Sequence, residues 1–369
     1  MKLTIAKEQI MNGLQAVQNV VGTRTTLPIL SNVLLRAEGE RVEFTATDLD
    51  VTISCTVEGT VHSPGATTLP VKKLFSIVRE LAPVELELEV DDKSVCTLRA
   101  GPSFYKIKGL PPEEFPPMPR FEEQNKISLP QQKVKGMLRR TCYAASTDES
   151  RYVLNGIFMS LKEQKLTTVA TDGRRLALTE EEVDLPEKVQ GEFIVPSKAV
   201  NELNRLLLDT GEVEIQFTEN QAAFTLRAEK QPSILVITKL IEGNYPNYRQ
   251  VIPQETKERI TLGREEFLHA LRRAEIMTSE KQNSVRLSFG KNVLAITANT
   301  PEVGEARETI AINYKGNEFA VAFNPSYVID PLNALDNDEI FLELIDELSP
   351  GLIKINGPFL YVVMPMRLT

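Results

Sequence analysis

The sequence predicts an α+β chain built from three copies of one domain, and three recurrences predict it. Thr168 to Leu178 reads TVATDGRRLAL, an alternating strand, a polar turn at Asp172-Gly173 and a second strand, which is the pattern of a tight hairpin. Thr45 to Ile53 (TATDLDVTI) and Ile296 to Thr300 (ITANT) repeat it, so that Asp48, Asp172 and Asn299 take equivalent places 124 and 127 residues apart. Leu3 to Leu14 (LTIAKEQIMNGL), Ile127 to Leu138 (ISLPQQKVKGML) and Ile260 to Leu271 (ITLGREEFLHAL) share a second pattern, a short strand running into an amphipathic helix. Later in each copy a proline opens another helix, at Pro70, Pro196 and Pro325. Proline is tolerated there because the first helical N–H has no partner within the helix. A period near 125 residues exceeds any solenoid repeat, so the copies are whole domains, assigned to 1–122, 128–253 and 257–369.

Length and composition agree. A chain of 369 residues with 42% apolar content accommodates three ordinary cores. No apolar run reaches the 18 residues of a membrane span, and MKLTIAKEQI carries charges where a signal peptide needs its apolar stretch. Cys55, Cys96 and Cys142 are scattered and odd in number, without a Cys-x-x-Cys pair. These features predict a reduced, cytoplasmic protein without a thiolate metal site.

In chain order, the first domain opens with a helix over 7–20 that places Ile10, Leu14 and Val17 on one face. A loop carrying Arg24 leads to strands over 33–37 and 42–46; a helix over 71–81 turns Leu74, Val78 and Leu81 inward; strands over 84–90 and 94–100 follow. Pro111 to Pro119 holds five prolines in nine residues and reads as a stiff, extended segment. The second domain begins with a helix in which Val134, Met137, Leu138, Cys142 and Ala145 form a stripe opposite Lys133, Lys135, Arg139 and Arg140. After a polar loop over 146–152 come strands over 153–161 and 166–170, a helix over 197–208, strands over 213–217, 222–228 and 235–240, and a turn at 243–246. The third domain repeats the plan and ends in a strand over 359–364.

No phosphate-binding glycine loop, serine elbow or His-Glu-x-x-His is present, and the two histidines, His62 and His269, stand in different domains. Asp48 with Asp50 and Asp172 leaves two readings open: ligands of a divalent cation in a hydrolase, or equivalent turn residues of separate domains. Charge is more informative. Net charge is −9, yet the six predicted helices carry 0, +2, +4, +1, 0 and −1, a total of +6 that leaves −15 for the remainder. Either these charges decorate solvated helix faces, or the helices share a positive side made for an anionic polymer.

The TVATDGRRLAL hairpin, the Tyr245-Pro246 turn after LVITKLIEGN, FNPSYVIDPLNAL from Phe323 and the terminal YVVMPMRL together resemble the bacterial DNA sliding clamps, the β subunits of DNA polymerase III, over the whole chain. The resemblance implies a non-catalytic, cofactor-free and metal-free processivity factor. It implies a head-to-tail homodimer ring around double-stranded DNA, helices lining the hole and sheets outside, held by phosphate contacts without sequence specificity. It further implies a hub that recruits the DNA polymerase catalytic subunit, the clamp loader, and repair and translesion polymerases.

By the same resemblance Arg24, Lys72 and Tyr152 contact DNA, and Lys198 is added from its helix position. A departure is the acidic Thr147-Asp148-Glu149, where the family often has neutral or basic residues; it bears on whether that loop meets phosphate. The groove for partner peptides maps to Leu154, Thr171, Gly173, Arg175, Leu176, Pro246, Val251, Asn324, Tyr327, Val363, Met364, Pro365, Met366 and Arg367. The ring seam maps to Lys73, Tyr105 and Ile107 of one chain against Ile276 and Met277 of the other. For Met364 and Met366 an ordinary final strand, and for Ile276 and Met277 a core role, remain the alternative readings.

Overall fold

The computed structural model describes residues 1–22, 27–119, 121, 126–185, 189–280 and 282–367. Arg24 lies outside the described residues. In chain order the elements are β1 (Lys2–Ala6), α1 (Lys7–Val17), β2 (Asn32–Glu38), β3 (Arg41–Thr47), β4 (Val51–Glu58), β5 (Thr60–Ser63), β6 (Gly65–Pro70), α2 (Val71–Glu80), β7 (Glu85–Val90), β8 (Val95–Ala100) and β9 (Ser103–Lys108). There follow β10 (Lys126–Pro130), α3 (Gln131–Thr141), β11 (Gly156–Lys162), β12 (Lys165–Thr171), β13 (Arg175–Glu182), β14 (Gly191–Pro196), α4 (Ser197–Leu206), β15 (Glu212–Phe217), β16 (Gln221–Arg227) and β17 (Ser233–Lys239). Last come β18 (Glu258–Gly263), α5 (Arg264–Glu275), β19 (Val285–Gly290), β20 (Val293–Thr300), β21 (Gly304–Ala311), β22 (Phe319–Phe323), α6 (Pro325–Ala334), β23 (Glu339–Leu344), β24 (Gly351–Lys354) and β25 (Phe359–Val363).

The chain forms two compact units: Met1–Lys135, Pro186–Gln190 and Lys198–Leu240 in one; Gly136–Leu185, Gly191–Ser197 and Ile241–Thr369 in the other. The first unit holds a five-stranded sheet, β5-β1-β7-β8-β9, and an eight-stranded sheet, β10-β15-β16-β17-β4-β3-β2-β6. The second holds an eight-stranded sheet, β14-β11-β12-β13-β25-β24-β23-β18, and a four-stranded one, β21-β20-β19-β22. All pairings are antiparallel. Each eight-stranded sheet is two four-stranded halves joined at one seam, β17 to β4 in the first unit and β25 to β13 in the second.

Alternation dictates which faces are buried. In β7, Leu86 and Leu88 point inward while Glu85, Glu87 and Glu89 stay exposed, and β1 repeats this with Leu3 and Ile5. Helix α1 buries Ile10, Leu14 and Val17 as the periodicity predicts, and α2 buries Val71, Leu74 and Val78. Gly13 on α1 is required by packing, since a Cβ there would lie 2.4 Å from the buried Phe44 ring. The proline-rich segment after β9 includes a 3-10 turn over Pro112–Glu114, and Phe115 beyond it is buried with Ile29, Leu30 and Leu34.

The aspartate turns repeat atom by atom in two of the three copies. Asp48 Oδ1 accepts from Asp50 N at 3.1 Å and Val51 N at 2.8 Å; Asp172 Oδ1 accepts from Arg174 N at 2.8 Å and Arg175 N at 3.1 Å. In front of each, a threonine hydroxyl donates across the turn, Thr47 to the Val51 carbonyl at 3.2 Å and Thr171 to the Arg175 carbonyl at 2.6 Å. The third copy departs from expectation. There β20 runs on through Asn299 and Thr300, which pair with Glu305 and Gly304, so Asn299 is a ladder residue and the turn falls at 301–303.

Candidate functional site

The site builds up around the 172–174 turn in the second unit. Thr171 closes β12, Asp172 cross-links the turn amides, Gly173 takes φ 85°, and the chain re-enters the sheet at Arg175 as the first residue of β13. A side chain at 173 would meet the left-handed backbone penalty and a Cβ 2.9 Å from Arg151 Nη1. Arg151 itself donates to the Asp172 carbonyl at 3.1 Å.

Strand β25 is the other wall. It pairs Val363 with Arg175 and Val362 with Leu176; beyond it Met364 N donates to the Arg174 carbonyl at 2.9 Å and Met366 N to the Ala322 carbonyl at 2.7 Å. Pro365 between them has no N–H to give. The terminal segment is therefore anchored through its backbone while the Met364, Met366 and Arg367 side chains remain exposed. Helix α6 starts at Asn324, whose side chain accepts from Ser326 N at 3.0 Å, with Pro325 at the first helical position. Pro331 inside α6 cannot donate to the Tyr327 carbonyl, and the Tyr361 hydroxyl on β25 donates there instead at 2.7 Å.

Arg175 is the charged centre. Its side chain is 11% exposed; Nε donates to Asp172 at 3.0 Å, Nη1 to Asp330 at 2.5 Å and Nη2 to the Tyr143 carbonyl at 2.7 Å. Its guanidinium carbon stands 4.5 Å from the centre of the Tyr327 ring. Burial works against the charge, but the Tyr361 phenol and the Asp330 and Asp172 carboxylates outweigh it and hold Arg175 above the ordinary arginine range. On the other face of the sheet, to which Leu176 and Val362 point by alternation with Arg175 and Val363, lies an apolar cluster of Val169, Leu176, Leu352 and Val362 with Phe158, Tyr245, Tyr248 and Ile252 against it, Phe158 and Tyr245 stacking at 5.0 Å.

All fourteen residues assigned to the groove fall in this one unit. Their exposure sorts them. Gly173, Pro246, Val251, Met364, Met366 and Arg367 are exposed, Thr171, Arg175, Asn324, Tyr327 and Pro365 half-buried, and Leu154, Leu176 and Val363 buried. Tyr143, Asp330 and Tyr361 around Arg175, and Phe158 in the apolar cluster, escaped the sequence reading. Asp330 had a signal: it is the one charged residue in PSYVIDPLNAL.

The candidate DNA residues are placed separately. Lys72 is exposed on α2, and Tyr152 is exposed in a 3-10 segment spanning Glu149–Leu154. Gly243, at φ 124°, sits so close to that segment that a Cβ would lie 2.9 Å from Val153 and 3.4 Å from the Tyr152 hydroxyl. Asp148, the departure in this loop, caps the segment: its carboxylate accepts from Ser150 N at 3.0 Å and Ser150 Oγ at 2.7 Å, which holds it below the usual aspartate range. Lys198 on α4 forms an ion pair with Asp48, and Lys239 with Asp50 at 3.0 Å. The Asp48 carboxylate is thereby committed to turn amides and Lys198, and that of Asp50 to Lys239, the geometry of turn residues rather than of an open cation site. The four-cation face of α3 is partly neutralised, Lys135 by Asp209 at 2.8 Å and Arg139 by Asp336.

At the remaining positions, Lys73 is exposed on α2, Tyr105 half-buried and Ile107 buried on β9, and Ile276 is 72% exposed just after α5. Met277 beside it packs against the end of β20 and the start of β21: its carbonyl accepts from Thr300 Oγ1 at 2.7 Å, and its Cε stands 3.1 Å from where a Cβ on Gly304 would be. No helix of the described residues is long and apolar enough to cross a membrane.

Comparison with known proteins matches this arrangement along its whole length. The N-terminal, central and C-terminal domains of the DNA polymerase III beta subunit match residues 1–119, 128–247 and 249–367. The chain is 34% identical over 368 residues to the beta sliding clamp of Chlamydia pneumoniae, covering 100% of this chain and 99% of that protein. It is 36% identical over 378 residues to that of Escherichia coli strain K12, covering 100% of both. The sliding clamp of Pseudomonas aeruginosa, solved bound to griselimycin, superimposes with a TM-score of 0.94 at 33% identity over 100% of both chains. The chain belongs to the DNA polymerase III beta subunit family, the beta sliding clamps, non-catalytic processivity subunits of that polymerase.

Proposed function

We propose that two copies of this chain close head to tail into a ring that encircles duplex DNA and carries polymerase on it, in the cytoplasm. The free sheet edges carry this reading. In each unit the two halves of the eight-stranded sheet join at β17 with β4 and at β25 with β13. By the domain repeat, β9 is the equivalent of β17 and β25, and β21 the equivalent of β4 and β13, yet both β9 and β21 are edges. An unpaired edge is a template for another chain, and pairing β9 of one copy with β21 of a second would reproduce the internal seam twice and leave no such edge open. Phe104, 54% exposed on β9, and Ile276 and Met277 beside β21 flank that contact. Lys73, Tyr105 and Ile107 are assigned to the same seam, Ile107 through its strand rather than its covered side chain.

The excess of +6 on the six helical segments of a −9 chain supports helices facing phosphate, with Arg24, Lys72, Tyr152 and Lys198 as contacts. Closure makes strong contacts unnecessary, because a closed ring cannot leave the duplex sideways, and weak contacts permit sliding. The groove around Arg175 receives the peptides of polymerase, clamp loader and repair enzymes; exposed Met364 and Met366 suit a surface that adapts to several ligands. The domain boundaries 1–122, 128–253 and 257–369 belong to the same proposal.

The test is topological. Protein loaded by a clamp loader onto nicked circular DNA should remain bound, and linearising that DNA should release it. Equal retention on both would overturn encirclement.

A further inference from the structure

Arg175 would serve a peptide groove in either of two ways, as a cation offered to the ligand or as a plate of the wall, and its contacts distinguish them. Each guanidinium nitrogen already has a protein acceptor: Asp172, Asp330 and the Tyr143 carbonyl. The guanidinium carbon lies over the Tyr327 ring, 4.5 Å from its centre, and only 11% of the side chain is exposed. Three of its five N–H donors are thus engaged and two carboxylates balance its charge, which leaves little net attraction for an incoming carboxylate.

Asp330 reaches Arg175 from α6, 155 residues away in sequence, whereas Asp172 lies on the arginine's own turn. The next residue, Pro331, leaves the Tyr327 carbonyl to the Tyr361 hydroxyl, so α6 is tied to β25 by one bond and to β13 by another. We infer that Asp330 is a positioning residue of the partner groove, holding Arg175 as a neutralised plate beside Tyr327, and that the groove selects its ligand by apolar shape rather than by charge at Arg175. The unit-one turn supports the assignment. Its equivalent of Arg175 is Val51, and the equivalent of Tyr327 is Lys198, which pairs with Asp48 directly; no arginine plate forms there.

The inference rests on the groove reading above, and a double-mutant cycle separates the two. The probes are a fluorescent peptide carrying the clamp-binding segment of the polymerase catalytic subunit and the same peptide with its acidic side chains amidated. Asp330→Asn in the full chain should weaken both peptides by a common factor of about tenfold, and Asp330→Glu should recover part of it. In an Arg175→Ala background, Asp330→Asn should have no further effect, since its action runs through the arginine. A loss confined to the acidic peptide, additive losses in the cycle, or unchanged affinity of Asp330→Asn would each overturn the inference while leaving the groove in place. Failure of the unsubstituted protein to bind either peptide would overturn the groove reading, and this one with it.

Discussion

Leu49 and Gly173 occupy the same left-handed position in two turns of one chain, with φ of 78° and 85°. Both follow an aspartate whose Oδ1 gathers the turn amides, and a threonine hydroxyl accepts from each of their N–H groups at 3.1 Å. The backbone geometry is therefore set by the threonine and aspartate and not by glycine. What differs is the strain each residue bears there.

Gly173→Ala should destabilise the second unit by about 1 kcal/mol from the left-handed backbone alone, with an added cost where the new Cβ displaces Arg151. For a unit of this size that lowers its melting transition by roughly 2–4 °C. Leu49→Gly should move the first unit's transition by less than half as much, because relief of strain is offset by about 0.5–1 kcal/mol of added chain entropy in the unfolded state. Scanning calorimetry of the two variants reads this asymmetry; equal shifts would contradict it.

Cys55 and Cys96 should be inert in the folded protein. Both are buried in strands, and burial pushes their thiols up to about 12. At pH 8 only about one molecule in 10,000 would carry the reactive thiolate at either site. Iodoacetamide followed by mass spectrometry should leave both unmodified until denaturant is added. Alkylation of either within minutes in native buffer would contradict the packing.

All six helices were legible in the sequence to within a few residues, because proline openings and apolar spacing are local signals. Strand β4 was not separated from its turn, and with it the β4–β17 pairing escaped, since which strands meet across domains is a long-range choice that alternation does not encode. Asn299 looked equivalent to Asp48 and Asp172, but the two extra ladder pairs of β20 with β21 move that turn onward. The groove residues were assigned through resemblance alone; the contacts that hold Arg175 were not legible. Nothing near Arg175 in sequence announces Asp330, whose partnership depends on α6 and β13 being brought together.

Asp336 should contribute to stability only above the carboxylate range. The hydrogen bond from Arg139, with Arg140 and Arg264 nearby, holds its carboxyl below the usual aspartate range. A depressed folded-state value means that the contribution is complete above the unfolded value near 4 and is lost as pH falls through the folded one. Asp336 is 74% exposed, so solvent screening limits the effect to about 0.5 kcal/mol or less. Asp336→Asn should therefore be slightly less stable than the parent at pH 7, equally stable near pH 2, and closer to the parent in 1 M salt. A difference that persists unchanged into acid would mean the pair is not its source.

Asp48→Asn separates two duties of one side chain. The amide oxygen can still accept from Asp50 N and Val51 N, so the turn survives, while the charge that pairs with Lys198 is removed. Lys198 is half exposed on α4, one of the helices whose net positive charge supports a DNA-facing role. Released from Asp48, it should reach phosphate more often and strengthen binding to duplex DNA at low salt. The logarithm of affinity against the logarithm of salt concentration should steepen by up to about 0.9 for each lysine that gains a phosphate. Lys198→Ala should flatten the same plot, and adding Asp48→Asn to it should change nothing further. If Asp48→Asn alters binding equally with and without Lys198, the lysine is a structural partner of the turn and DNA contact must come from other helix positions.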